Sequence, residues 1–120
     1  MYLGIDIGTS SVKTVLFDRD QKLVAQASQG LHVSRPHPGW SEQDPEDWWR
    51  AVAGALTEIS KQIDPRRVAG LSFSGQMHGS VFLDANDKVI RPCLLWCDGR
   101  TAPECAEIID KTGQQTFLKV

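Results

Sequence analysis

Asp6, Gly8, Thr9, Ser10 and Lys13 lie together in the stretch from Leu3 to Lys13, an apolar run interrupted by a glycine and three hydroxyl residues. A carboxylate at a strand end repels phosphate, but it can hold Mg²⁺ or a metal-bound water. Gly8 leaves room for backbone N–H groups to approach an anion, and Thr9, Ser10 and Ser11 bring hydroxyl donors. Lys13 either reaches phosphate or is a solvated charge on the strand after the turn. The same residue types also make an ordinary hairpin turn, and spacing alone does not separate the two. A second group is Gln76, Met77 and His78, held between Gly75 and Gly79. His78 can exchange a hydrogen bond with a hydroxyl and Met77 can pack on a carbon chain. Gln76 is either a further hydrogen-bonding residue or a strand-end cap. A core methionine beside a buried histidine is the structural alternative. The flanking glycines, which allow close approach of a ligand, favour binding.

The elements that must position these residues can be read from pattern. Residues 2–7, 12–17 and 22–31 are expected as three strands of an antiparallel meander, with a turn at Asp18-Arg19-Asp20-Gln21. Pro36, Pro38 and Gly39 make residues 32–44 a loop, with Trp40 plugging it onto the domain. Asp44-Pro45-Glu46-Asp47 is a strong helix start: an acceptor at the cap, proline at the first helical position and acids in the first turn. Trp49, Val52, Leu56, Ile59 and Ile63 then form one apolar face, flanked by Trp48, and Asp64-Pro65 ends the helix. Residues 68–74 are expected as a centrally buried strand, parallel to one of the first three after a crossover. Residues 80–83 are expected as another strand, and a second helix begins near Thr101, with Ala106, Ile108 and Ile109 inward. Asp98 and Arg100 are expected to pair or cap locally, with lining of a ligand site as the alternative, and Trp96 is expected in the core.

Composition bounds the functional classes. The 120 residues suit one domain, and 41% apolar with 23% charged content argues against disorder. A net charge of −2 without a basic cluster argues against nucleic acid. Trp48-Trp49 has no interleaved basic residues and reads as helix packing, not a base-stacking platform. No apolar run is long enough to span a bilayer, and with a strand expected from residue 2 no export leader is expected. Cys93, Cys97 and Cys105 do not reproduce zinc spacing with His32 and His37, and are expected as buried, reduced thiols in a cytoplasmic protein.

Three motifs together carry a family resemblance. Gly4-Ile5-Asp6-Ile7-Gly8-Thr9-Ser10 resembles the first phosphate loop of the actin, hexokinase and sugar kinase superfamily. Trp40-Ser41-Glu42-Gln43-Asp44-Pro45 resembles a segment of the carbohydrate kinase family that includes glycerol kinase. Gly75-Gln76-Met77-His78-Gly79, with Leu95-Trp96-Cys97-Asp98-Gly99-Arg100, is similar to the xylulokinase branch; glycerol kinases carry an Arg-Glu pair where Met77-His78 stand here. The resemblance implies an α/β, ribonuclease-H-like (actin/hexokinase-type ATPase) fold with a mixed sheet of about five strands and packed helices. It implies ATP-dependent phosphorylation of D-xylulose, with ATP and Mg²⁺ as cofactors. By the same resemblance, Asp6 supports the metal, Gly8, Thr9, Ser10 and Lys13 face phosphate, and Gln76, Met77 and His78 face the sugar.

Members of this family are several times longer, with two domains around a cleft. Residues 1–120 would then be the N-terminal portion of the first domain. The general base and adenosine motifs would lie beyond Val120, and the full-length enzyme is expected to be a homodimer. The isolated piece is expected to be inactive and to expose a sheet edge or apolar patch that favours self-association. Kinases of ribulose, fuculose, gluconate or glycerol remain alternatives, as does an actin- or chaperone-like ATPase or a non-catalytic module.

Overall fold

In a computed structural model, which describes residues 1–117, strands β1 (Tyr2–Ile7), β2 (Ser11–Phe17) and β3 (Leu23–Gly30) form the expected antiparallel meander. Alternation in β1 and β2 decides which side chains go in. Leu3, Ile5, Val12, Thr14 and Leu16 are buried on one face, while Asp6 and Lys13 project on the other. The hydroxyl of buried Thr14 donates to the Ala27 carbonyl across the sheet.

Helix α1 (Pro45–Ser60) covers the apolar face. The Asp44 carboxylate accepts from the Glu46 N–H at 3.0 Å, satisfying an orphan donor of the first turn. The buried stripe is Ala51, Val52, Ala55 and Ile59. Trp49, expected on this face, is 68% exposed. A helical turn back from Val52 is Trp48, not Trp49, so the stripe runs through Trp48 and leaves its neighbour outside. The helix ends at Ser60, before the expected stop, and Ile63 packs on the core from the segment that follows.

After a 3₁₀ turn at Pro65–Arg67, strand β5 (Gly70–Gly75) returns parallel to β1, giving the order β3-β2-β1-β5. Apolar character suggested central burial for this strand, but it is an edge. Leu71 and Phe73 pair in register with the buried Leu3 and Ile5, yet are 58% and 62% exposed, because α1 packs chiefly over β2 and β3 and leaves β5 largely uncovered. The main sheet therefore has four strands; Glu42–Gln43 (β4) and Cys93–Leu94 (β6) form a separate ribbon. The expected strand at 80–83 is reduced to two isolated bridges, Ser80 with Leu94 and Leu83 with Val89.

The second helix, α2 (Ala102–Thr112), forms without a side-chain bond from Thr101 and buries none of its residues, so Ala106, Ile108 and Ile109 are not in the core. A short α3 (Gln114–Phe117) follows. Of the final stretch, residues 118–120 lie outside the described residues. Only Cys93 is buried among the cysteines, with its thiol pKa pushed up by burial; Cys97 and Cys105 are exposed. None of the described helices is long and apolar enough to cross a membrane.

Candidate active site

Parallel pairing of β1 and β5 puts their C-terminal ends at one edge of the sheet, Ile7 opposite Gly75. The ladder runs one step further, through the Gln76 N–H to the Ile7 carbonyl at 2.9 Å. The Gly8–Ser11 turn and the Gln76–Met77–His78 segment are neighbours for that reason alone.

In the turn, the Gly8 N–H donates to the Ser11 carbonyl at 3.1 Å. Gly8 therefore closes the hairpin and does not offer its own N–H to an anion. A Cβ there would lie 3.1 Å from the Ser11 oxygen, so any larger residue would have to push the turn's backbone apart by a few tenths of an ångström. Among the described residues, the N–H groups of Thr9 and Ser10 have no partner, and Ser10 is exposed. The Ser10 carbonyl accepts from the Leu31 N–H at 2.8 Å, which ties the turn to the end of β3.

Asp6 is exposed on the face away from α1. Its Oδ1 accepts from the Ser74 hydroxyl at 2.6 Å, and its Oδ2 lies 3.8 Å from where a Gly8 Cβ would be. Lys13 is its exposed cross-strand partner, one strand away from the turn tip. One carboxylate oxygen held by Ser74 and the other open beside the turn suits Mg²⁺, which takes few protein carboxylates and fills its remaining positions with water and phosphate oxygens.

Thr9 joins the two groups of residues. Its hydroxyl donates to Gln76 Oε1 at 2.9 Å and accepts from Trp96 Nε1–H at 3.3 Å. Trp96, expected in the core, is 62% exposed and lies over the turn. Beyond Gln76, Met77 and His78 are both exposed, and His78 adopts φ 62°, a left-handed conformation uncommon for a residue with a side chain. The glycines beside them are taken up by the chain itself: a Cβ on Gly79 would sit 2.9 Å from Cys93 Sγ, and one on Gly75 3.2 Å from the Ile7 carbonyl oxygen. They bring backbone close to backbone and to Cys93, and both also line a cavity with Ile7, Trp48, Val81 and Leu95.

Gln43, not singled out as a site residue from sequence, lies beneath this junction and contacts both Thr9 and Gln76. The available signal was a carboxamide directly ahead of the Asp44 cap. Beside it, the Asp98 carboxylate accepts from the Ser41 N–H at 2.6 Å and from Arg100, whose guanidinium also meets Glu42 at 2.8 Å and stacks 3.5 Å from the centre of the Trp40 ring. The hydrogen bonds from Arg100 hold the Asp98 carboxyl well below the usual carboxylate range. This lock fixes the segment that carries Trp96 against the loop that carries Gln43.

The profile of the FGGY family of carbohydrate kinases, N-terminal domain, matches residues 1–120. The chain belongs to the FGGY family of carbohydrate kinases. It is 50% identical to a xylulose kinase of Escherichia coli over 98% of its length, and 50% identical to one of Klebsiella pneumoniae over 94%. The fold is similar to that of a xylulose kinase from Rhodospirillum rubrum, with a TM-score of 0.91, 35% identity and 97% of this chain covered. The fold is thus that of the sugar kinases of the actin/hexokinase class, of which the described sheet and α1 are the opening part. The chain spans about a quarter of the length of these relatives: 24% and 23% of the two sequences and 24% of the structure.

Proposed function

We propose that residues 1–120 are the N-terminal portion of the first domain of a longer kinase that transfers the γ-phosphoryl group of ATP to D-xylulose, giving D-xylulose 5-phosphate. The observation that carries this reading is the Thr9–Gln76 bond at a shared sheet edge, which sets the turn, with its unpartnered Thr9 and Ser10 N–H groups, beside the segment of Met77 and His78. The similarity to proteins named xylulose kinase supports the choice of sugar.

Phosphoryl transfer needs positioning and charge neutralisation more than covalent help. In this reading the Thr9 and Ser10 N–H groups and the Ser10 hydroxyl bind phosphate oxygens. Asp6, steadied by Ser74, holds Mg²⁺ directly or through water. Bound Mg²⁺ neutralises charge on the phosphates. His78 orients a sugar hydroxyl and Met77 packs on the carbon chain. Trp96, anchored on Thr9, walls the space between the two ends. Lys13 contributes a positive field behind Asp6 rather than a direct contact.

A coupled assay of the full-length protein with Mg·ATP and a set of ketoses, gluconate and glycerol tests the proposal. D-xylulose is expected to give the highest kcat/KM. A preference for ribulose, gluconate or glycerol would overturn the substrate, and turnover by residues 1–120 alone would overturn the division of labour.

A further inference from the structure

Gln43 keeps only 2% of its surface exposed, yet every polar hydrogen and both lone-pair directions of its carboxamide are used. Nε2 donates to the Thr9 carbonyl at 2.7 Å and to the His32 carbonyl at 3.2 Å. Oε1 accepts from Trp48 Nε1–H at 3.0 Å and from Gln76 Nε2–H at 3.1 Å. The amide has one permitted orientation, since flipping it would set oxygen against two carbonyls and NH₂ against two donors.

We infer that Gln43 is a positioning residue for phosphoryl transfer, aiming the Ser10 N–H at the phosphate and holding the turn in register with the sugar-facing segment. This rests on the kinase reading above. The Thr9 carbonyl and the Ser10 N–H belong to one planar trans peptide and point in opposite directions. By drawing the Thr9 carbonyl inward, Gln43 turns the Ser10 N–H outward. Its Oε1 simultaneously holds Gln76, whose own Oε1 receives the Thr9 hydroxyl. Thr9, Gln43 and Gln76 thus form a closed ring of hydrogen bonds, so neither end of the site can shift without the other. Preorganised donors of this kind act at the transition state without reorganisation.

The test uses the full-length kinase and the variants Gln43→Met, which keeps the length and loses all four bonds, and Gln43→Glu, which keeps the acceptor and turns a charge on two carbonyls. Readouts are kcat, KM for ATP and for D-xylulose, the calorimetric Kd for Mg·ADP, and the melting temperature. Well below melting, both variants are expected to lose about tenfold or more in kcat and to bind Mg·ADP about tenfold more weakly. Sugar KM is expected to change less. A lower melting temperature with kcat and Kd within about twofold of wild type would reduce Gln43 to a structural role and overturn the inference. If both variants fail to fold, Trp48→Phe removes one of the four bonds and should lower kcat about threefold, and an unchanged kcat would overturn the inference equally. Turnover of D-xylulose by wild type judges the substrate separately, because the ratio of Mg·ADP affinities decides on Gln43 whatever the sugar.

Discussion

The Thr9 hydroxyl donates to the Gln76 carboxamide across 2.9 Å of space and 67 positions of sequence. It is the direct side-chain link between the hairpin turn and the end of β5. Only the parallel return of β5 beside β1 makes it available.

Thr9→Val keeps the shape of the side chain, removes this donor and leaves the Gln76 Oε1 and the Trp96 indole N–H without it. We expect a loss of about 1–3 kcal/mol in unfolding free energy, the usual cost of leaving polar groups of a partly buried network unpaired. In the full-length kinase kcat/KM should fall about tenfold or more. Thr9→Ser, which retains the hydroxyl, should restore most of both. Denaturant melts and steady-state kinetics on the pair check this, and equal behaviour of Val and Ser variants would remove the bond from consideration.

Asp98 gives a pH dependence of known sign. Its folded carboxyl titrates below its unfolded one, because of the hydrogen bonds from Arg100. The stabilisation is therefore complete above the unfolded carboxylate value of about 3.9 and is lost as pH falls from there through the depressed folded value. The urea midpoint should decline below about pH 4 in wild type. Asp98→Asn should lower the midpoint at neutral pH, since Arg100 loses its closest acceptor and the Ser41 N–H a charged one, and should flatten the acid decline. A variant whose acid decline matches wild type would show that other carboxylates control it.

Much of this arrangement is legible in the chain itself. The Asp44-Pro45 start of α1, the meander and the local pairing of Asp98 with Arg100 follow from short-range chemistry, and the structure repeats them. Residues whose fate depends on distant neighbours do not. Leu71 and Phe73 have the pattern of a central strand, and their pairing with Leu3 and Ile5 puts them on the covered face, but burial requires an element over β5 that the described residues do not supply. Trp49 differs from Trp48 by one position, and two adjacent identical residues leave the helical phase undetermined until the sheet is in place. Trp96 and Gln43 meet the turn through contacts 87 and 34 positions apart, which no local pattern encodes.

Gly79 tests whether the close approach beneath the site is obligatory. A Cβ at that position would meet Cys93 Sγ at 2.9 Å, and Cys93 is completely buried. Gly79→Ala should destabilise by about 1–3 kcal/mol, as overpacking does. Truncating the obstacle with Cys93→Ala should make the double variant more stable than the sum of the two single losses predicts. Thermal melts of the four proteins give the coupling directly, and strict additivity would mean that the backbone moves away instead.

His78 offers a case in which stability and activity should separate. Its φ of 62° costs roughly 1–2 kcal/mol for a residue with a Cβ, whereas glycine adopts it freely at an entropic cost of about 0.5–1 kcal/mol. His78 is exposed, so replacing it forfeits little packing. His78→Gly is therefore expected to be as stable as wild type or slightly more so. In the full-length kinase the same variant should raise the KM for D-xylulose about tenfold while the KM for ATP stays within about twofold, because in the proposed reading the imidazole serves the sugar end and the turn that would face phosphate remains held by Thr9. His78→Ala, which keeps the strain and loses the ring, should show the same kinetics with lower stability than His78→Gly. Unchanged sugar KM in both variants would take His78 out of the sugar site. A His78→Gly protein markedly less stable than His78→Ala would show that the left-handed turn is held by the side chain and not merely tolerated by it.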